Sequence, residues 1–586
     1  MVVANGDPSA YRFGPFEFNP RTGELLREGV PSRLAPQPAR LLALLLERAG
    51  ELVSREEARG RIWDDQTSVE FELGLNYCLG RLRAVLGDSP REPRFIETVP
   101  RRGYRFVERV HVSPACPTLA VLPFENLSGD RDQEYLATGV SDALITELGK
   151  IAGLRVISRQ SVLHLRGSER PLGELARELR ADALVEGTVL REGTRLRVTA
   201  QLIQARPEQH LWAESYEGEL NDLLGLLGRV ARTAARSMAV VLTPEEEVRL
   251  ARRVEVSAEA QVAYLRARFH LGKWSRQDIE KGLAYLHEAI AIDPNHAAAW
   301  AELATCMALL GYWGHVPWRV AYPSSKQAAA RALALDPGSS AAHVAAAWTR
   351  QLCDWDLDGC EKELMRAVEL SPSSAEAHVY YGAFLLEARN DRQAAFREGR
   401  LALQLDPVSA FTSASVAWLY LFAGQPEAAA DQAARSLELY PNALQALYVL
   451  GWARVAQGLY ADAVGLLERA RALSPDSMTL GYLGHAYGRA GRADDARAAL
   501  AELIRRNVQE PVPVKSLIAI YTGLGDYDRA FECIDRAFAD RDPAVFSLRI
   551  GPPFQPLAND PRFASCLDRL SAIVGQQAPA TTTGDA

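Results

Sequence analysis

Apolar residues recur at two different spacings in the first hundred residues of the chain. Aromatic side chains at near-alternate positions predict a short hairpin or sheet over 11–18. Leucines at helical spacing then predict helices over 34–48 and 71–86. Between them, Ser54 and Glu57 form a capping box, which predicts the start of another helix. Two strand-like segments joined by a tight turn follow, so the predicted order is a sheet, three helices and a C-terminal hairpin.

This order is that of a winged helix-turn-helix domain of the α+β class, and its residues make the assignment more specific. The third helix contains the letters LGLNYCLGRLRAVLGD over 73–88, and the hairpin contains FIETVPRRGYRF over 95–106. This combination resembles the OmpR/PhoB-type effector domain, a phosphorelay-family domain of bacterial transcription regulators, and its ToxR/CadC-like branch in particular. The resemblance covers nearly all of residues 11–108 and implies a winged helix that binds duplex DNA.

Strands and helices alternate between residues 118 and 245, which favours a small α/β domain. The predicted elements are strands over 118–124, 154–157, 183–189 and 196–202 and helices over 134–150, 172–179 and 221–242, with a polar loop that starts at Ser158. The segments AVLPFENLSGD over 120–130 and ALVEGTV over 183–189 are similar to a TolB-amino-terminal-like or FlgO-like domain. Residues 109–117 are expected to be a linker.

Proline recurs at a nearly constant interval in the second half of the chain. The prolines stand at positions 294, 337, 372, 407, 441 and 475, each after a residue that is expected to end a helix. A period near 34 residues is typical of tetratricopeptide repeats, so an all-α solenoid of six to eight units is predicted over 258–570. An insertion around 313–322 is expected to enlarge the first interval, and 571–586 is expected to be a disordered tail.

Charge narrows the classes of function. The 586 residues carry a net charge of −8, which argues against a protein that coats nucleic acid without specificity. Between Leu73 and Arg105, however, seven arginines stand against three acidic residues. One small DNA-binding module within an acidic protein is therefore the expected arrangement.

The cellular compartment is inferred from features that are absent from the sequence. The seven cysteines include no C-x-x-C pair, as expected in a reducing compartment. The sequence shows no signal peptide and no apolar run of about 20 residues. Relatives in the ToxR/CadC-like branch often have a membrane span after the wing, but Pro114 and Pro117 interrupt that segment here. We expect a soluble, cytoplasmic protein without a membrane partner.

Seven residues are the candidate DNA contacts. They are Asn76, Arg81, Arg83, Thr98, Arg101, Arg102 and Arg105. The first three lie on or beside the helix face opposite the leucines, and the other four belong to the hairpin. The resemblance aligns Arg81 and Arg83 with the family's DNA-contacting arginines; the alternative is that these arginines only solvate a surface helix. Family members often have a basic or polar residue where Cys78 and Gly80 stand, so the operator sequence stays open.

Other motifs predict no chemistry. The letters DWDLDG over 354–359 open like an EF-hand calcium loop, but Met365 occupies the position of the bidentate glutamate, and the start of a repeat helix is preferred. Ser128-Gly129-Asp130 is interpreted as a bare turn rather than an anion site. The dispersed histidines, such as His378 and His485, are interpreted as packing residues. No phosphate loop, H-E-x-x-H or G-x-S-x-G motif is present, so no catalytic residue, cofactor or metal is expected.

The sequence therefore predicts a transcription regulator that binds DNA sequence-specifically. The α/β and repeat regions are expected to sense a signal or to dock a partner, and activation by phosphotransfer within this chain is not expected. The expected partners are double-stranded DNA and a protein or peptide in the repeat groove; RNA polymerase and a second copy on DNA are further candidates. The alternatives are a repeat scaffold that assembles protein complexes and an enzyme with its site in 116–245.

Overall fold

The chain divides into two compact units, Met1–Cys116 and Pro117–Ala586. A computed structural model describes residues 10–20, 23–27, 30–32, 34–62, 71–113, 116–130, 133–168, 170–252, 256–271, 276–312, 315–507 and 512–575. Within these ranges, no helix is both long and apolar enough to cross a lipid bilayer.

The described residues of the N-terminal unit form two sheets and three helices. In chain order its elements are β1 Ala10–Phe13, β2 Phe16–Asn19, β3 Glu24–Arg27, β4 Val30–Ser32, α1 Pro36–Glu47, β5 Leu52–Ser54, α2 Arg55–Ile62, α3 Phe71–Leu86, β6 Ile96–Val99, β7 Gly103–Phe106 and β8 His111–Ser113. The first sheet has the order β4-β3-β2-β1-β8, and the second has the order β5-β7-β6. This is a winged helix-turn-helix, and we call the hairpin β6–β7 the wing.

Local sequence signals position these elements. The backbone N–H of Glu57 donates to Ser54 Oγ at 3.1 Å and that of Ser54 donates to Glu57 Oε2 at 2.7 Å, so the predicted capping box starts α2. Gly87, with φ +66°, ends α3. The linker expected over 109–117 is wrong in part, because His111–Ser113 forms β8 and pairs antiparallel with β1.

The second unit begins with an α/β layer. Its elements are β9 Thr118–Val121, β10 Glu125–Asn126, α4 Glu134–Gly149, β11 Arg155–Val156, α5 Arg159–Leu163, α6 Leu172–Leu179, β12 Ala183–Glu192, β13 Arg195–Ala205, β14 Glu208–Glu219, α7 Leu223–Ser237 and α8 Pro244–Ala251. The sheet order is β11-β9-β12-β13-β14, with β10 beside β12. Parallel pairing joins β11, β9 and β12, whereas β12, β13 and β14 form an antiparallel meander.

Two parts of this layer differ from expectation. The polar loop that was predicted to start at Ser158 is instead the short helix α5, whose Ser161 and Val162 are buried. The strand β14 was not predicted, because most of its residues are polar and exposed and it lacks apolar alternation. It is nevertheless held along its length by β13, from Arg195 opposite Glu219 to Ala205 opposite Glu208.

Helices fill the rest of the second unit. They are α9 Ala258–Leu271, α10 Arg276–Ile292, α11 Ala297–Tyr312, α12 Trp318–Leu335, α13 Ser340–Thr349, α14 Leu357–Leu370, α15 Ala375–Glu387, α16 Arg392–Leu405, α17 Ala410–Phe422, α18 Pro426–Leu439, α19 Leu444–Ala456, α20 Tyr460–Leu473, α21 Ser477–Arg489, α22 Ala493–Arg506, α23 Val514–Leu524, α24 Tyr527–Ala539 and α25 Pro561–Gly575. From α9 to α24 they form eight consecutive pairs, which confirms the predicted solenoid class.

Two boundaries of the solenoid are corrected. The expected insertion around 313–322 is partly helical, because α12 begins at Trp318; residues 313 and 314 lie outside the described residues. The expected disordered tail over 571–586 begins too early, since α25 continues to Gly575, and 576–586 lies outside the described residues.

A buried carboxylate joins the α/β layer to the repeats. Asp406, only 3% exposed at the end of α16, accepts hydrogen bonds from Ser161 Oγ at 2.7 Å, Thr412 Oγ1 at 2.6 Å and Ser158 Oγ. The backbone N–H of Val408 donates to Ser161 Oγ at 3.1 Å. Helix α5 is thus fixed to the turn between two repeat units.

Candidate nucleic-acid interface

Helix α3 separates a buried face from an exposed one. Leu75, Cys78, Leu79, Leu82 and Leu86 are at most 3% exposed and pack in the core of the N-terminal unit. The opposite face is exposed and carries Asn76, Tyr77, Gly80, Arg81 and Ala84. The major groove of DNA admits one α-helix, and an exposed helix face of this kind is the part of a winged helix that fits there.

Arg83 lies at the edge of that face and is held by the wing. Its Nη2 donates to the carbonyl oxygen of Ile96 at 3.0 Å and to Thr98 Oγ1 at 2.8 Å. Its Nε is buried and has no hydrogen-bond partner in the described part of the chain. The structure therefore ties two predicted contact residues, Arg83 and Thr98, to each other, and this link sets the position of the wing relative to α3.

The tip of the wing is a tight turn. The N–H of Arg102 donates to the carbonyl of Val99 at 3.1 Å, Pro100 takes the second position and Arg101 adopts φ +62° in the third. This matches a type II turn, in which the third position requires positive φ. Arg101 and Arg102 are both exposed there. Two guanidinium groups are thus presented at one end of the unit.

Arg105 is the predicted contact residue with a charged partner on the wing itself. Its Nη1 lies 3.6 Å from Glu97 Oε2 on the neighbouring strand, and both side chains are about two-fifths exposed. An exposed pair of this kind contributes little to stability. Arg105 therefore presents a partly exposed guanidinium on the wing.

A cleft of about 400 Å³ opens between α3 and the wing. It is lined by Arg55 at the start of α2, by Asn76, Gly80, Arg83 and Ala84 of α3, by Asp88 after that helix, and by Thr98 and Tyr104 of the wing. The Arg55 guanidinium lies 5.6 Å from the centre of the Tyr104 ring. The cleft thus combines two guanidinium groups and two hydroxyl groups with the carboxylate of Asp88, whose oxygens accept the backbone N–H groups of Arg94 and Ile96.

Sequence reasoning missed two residues at this surface. Tyr77, 63% exposed on α3, is a large aromatic side chain beside Asn76 and Arg81. Tyr77 lies three residues before Gly80 and so on the same side of the helix. The helical period could have identified it as exposed, because the leucine pattern assigns the other face of α3 to the core. Arg55 had no such signal, since only the packing of α2 against the wing brings it to the cleft.

The other motifs form structural elements. Asp356 caps α14 by accepting the N–H of Gly359 at 2.8 Å and pairs with Arg350 at 2.8 Å, so the predicted helix start is confirmed for 354–359. The turn at Ser128 is closed by Asn126 Oδ1, which accepts the N–H of Ser128 at 3.0 Å. Among the described residues, no group of three or more His, Cys, Asp or Glu side chains is arranged to hold a metal ion.

The two histidines interpreted as packing residues are buried and hydrogen-bonded. His485, 1% exposed, lies 2.8 Å through Nδ1 from the carbonyl oxygen of Ala519, and burial lowers its pKa to about 4. His378 Nδ1 lies 2.6 Å from Glu398 Oε2 on the paired helix. Both histidines thus join helices within the repeats.

Fold and surface together define a winged-helix DNA-binding domain in one chain with an α/β layer and a tetratricopeptide solenoid. Family models agree region by region. Residues 29–106 match "Transcriptional regulatory protein, C terminal", and 114–231 match "HilA/YgeH-like transcriptional regulator, second domain". Residues 417–477 and 454–521 match tetratricopeptide repeat models. The chain is therefore similar to transcriptional regulators over 29–106 and 114–231 and to tetratricopeptide repeats over 417–521.

Curated relatives include several transcription regulators. "Transcriptional regulator HilA" of Salmonella typhimurium (strain LT2) is 26% identical over 406 residues, which are 68% of this chain and 71% of HilA. "Cholera toxin transcriptional activator" of Vibrio cholerae serotype O1 is 32% identical over 98 residues, 16% of this chain and 33% of that protein. A Rhizobium meliloti protein named "Putative adenylate cyclase 3" is 38% identical over 191 residues, 33% of this chain.

Coverage differs widely among these relatives. The chain spans 71% of the length of HilA but only about a third of the length of the Rhizobium protein, at 32%. The activity in the name of the Rhizobium protein is accordingly a property of that protein.

Proposed function

We propose that the chain is a transcription regulator that binds duplex DNA at specific sequences through α3 and the wing. The observation that carries this proposal is the exposed face of α3, where Asn76 and Arg81 lie opposite a fully packed leucine face. Arginine and asparagine are the side chains that pair with guanine and adenine edges in the major groove. Names of the similar regulators, HilA among them, support the same assignment.

The seven predicted contact residues take different parts in this proposal. Asn76 and Arg81 contact base edges, and Arg101 and Arg102 contact the backbone or minor groove beside the site. Arg105 contacts a phosphate after leaving Glu97. Arg83 and Thr98 act on each other and hold the wing against α3.

The second unit is the proposed input region. Its eight helix pairs offer the concave surface on which repeat proteins dock a protein or peptide. The α/β layer, fixed to the repeats at Asp406, shares this role. A docked partner, RNA polymerase or a second copy on paired half-sites would connect this region to transcription.

Site selection from random duplexes with the full chain tests the proposal. We expect one sequence to be enriched, with log affinity that falls linearly as log salt concentration rises. Arg81→Ala should lose about 1–3 kcal/mol of binding to that site, as expected for one bidentate base contact. If neither the full chain nor residues 1–116 enriches any sequence, the regulator proposal is wrong and the repeat scaffold is preferred.

A further inference from the structure

Gly80 occupies the middle of α3, where glycine is a poor choice for the helix itself. Glycine in a helix interior is less favourable than alanine, because it loses more backbone freedom on folding. A Cβ atom built on Gly80 meets no other part of the described chain within 4 Å, the adjoining helical backbone aside. Packing within the protein therefore does not require glycine at this position.

Some helical glycines in the protein have a packing reason. A Cβ on Gly451 would lie 2.9 Å from the side chain of Leu467, and one on Gly484 would lie 2.7 Å from Ile520. Gly60 on α2, Gly173 on α6 and Gly465 on α20 resemble Gly80 in being open, but none of the three lines the cleft. What distinguishes Gly80 is therefore its location in the lining of the cleft.

The cleft around Gly80 has groups that suit a sugar-phosphate strand. Arg55 and Arg83 supply positive charge, and Thr98 supplies a hydroxyl. Asp88 also lines the cleft, but its carboxylate oxygens accept the backbone N–H groups of Arg94 at 2.7 Å and Ile96 at 2.8 Å. Any side chain on residue 80 would start at the lining of this cleft.

We infer that Gly80 is a positioning residue for DNA, because its bare backbone leaves the cleft between α3 and the wing open to one sugar-phosphate strand. The inference rests on the proposed function and goes beyond it, since it assigns a role to a residue that makes no polar contact. A side chain at position 80 excludes that strand, and the phosphate then loses its contact with Arg55, while Arg83 stays bonded to the wing.

The test compares Gly80→Leu with the matched variant Gly60→Leu in the full chain. Both substitutions add the same good helix former at an exposed, open helical position, so neither should lower the melting temperature. On the selected duplex, Gly80→Leu should bind at least tenfold more weakly, and Gly60→Leu should bind like the wild type. The slope of log affinity against log salt should shrink by about 0.9 for Gly80→Leu, as expected for one lost phosphate contact.

The outcomes separate this inference from the proposal beneath it. If the wild type binds DNA and Gly80→Leu has the same affinity and the same salt slope, Gly80 has no positioning role. The proposal that the chain is a transcription regulator then still holds. A weaker affinity with an unchanged salt slope also overturns the role of Gly80, because the strand would then still reach its phosphate contact. Failure of the wild type to select any duplex overturns the regulator and this inference together.

Discussion

Replacing Arg81 and Arg83 separately should give two different phenotypes, although the two residues are neighbours on α3. Arg83 donates two hydrogen bonds to the wing, at 3.0 and 2.8 Å, whereas Arg81 is exposed on the groove-facing side. A hydrogen bond from a charged group contributes about 1.5–3 kcal/mol. Both bonds share one nitrogen of a partly exposed side chain, so we expect Arg83→Ala to destabilise the wing by about 2 kcal/mol.

Hydrogen exchange of the full chain, followed by mass spectrometry, measures this local destabilisation of the wing. A loss of about 2 kcal/mol corresponds to roughly thirtyfold faster exchange in peptides that cover the wing. Arg81→Ala should leave that exchange unchanged, because surface substitutions usually stay within about 0.5 kcal/mol. Both variants should bind DNA more weakly, Arg81→Ala by a lost base contact and Arg83→Ala by a displaced wing.

Arg83→Lys is the control for charge. It keeps the positive charge but lacks the planar fork that reaches two acceptors, so it should resemble Arg83→Ala in exchange. If Arg83→Ala exchanges like the wild type and loses binding as Arg81→Ala does, the link to the wing is not what Arg83 contributes. Arg83 would then be a direct DNA contact, as the sequence predicts.

Three further predictions concern stability. Asp406→Ala should lower the free energy of unfolding by about 3–5 kcal/mol, because three hydroxyl groups lose a buried carboxylate acceptor; a loss below about 1 kcal/mol in urea titration would contradict this. Burial lowers the pKa of His296 and His485 to about 4, so between pH 6.5 and 4 the unfolded chain binds protons that the folded protein does not. Stability should fall as the pH drops through that window, by about 2 kcal/mol per histidine at pH 5, and His485→Gln should remove about half of the loss. Gly103→Ala should unfold the wing, because φ is +152° and the added Cβ would lie 2.0 Å from a carbonyl oxygen of β5; a melting temperature equal to that of the wild type would refute it.

Much of the fold follows from short-range patterns. The predicted helix over 71–86 has the bounds of α3, and the predicted helix over 172–179 has those of α6, because leucine spacing and the flanking turn residues are local signals. The proline period likewise identifies the repeats, since each proline ends a helix. Strand β14 lacks such a signal, because its pairing with β13 rather than its own pattern makes it a strand.

The candidate interface is less accessible to sequence reasoning. The exposed positions of Asn76 and Arg81 follow from the helical period, and the structure places both on the solvent face. The link from Arg83 to Thr98 spans 15 residues and depends on how the wing folds back. Arg55 reaches the cleft only through the packing of α2. Contacts of this kind depend on tertiary geometry, and no periodicity predicts them.

The buried carboxylate of Asp406 has a consequence for anyone who builds chimaeras from such proteins. A splice between the α/β layer and the repeats would separate Asp406 from Ser158 and Ser161 and leave polar groups of both halves facing foreign surfaces. A junction between Cys116 and Pro117 separates the two compact units and keeps Asp406 together with Ser158 and Ser161 in the second unit. Residues 117–586 should therefore be exchanged as one intact segment, and each recipient protein should keep its own N-terminal DNA-binding unit.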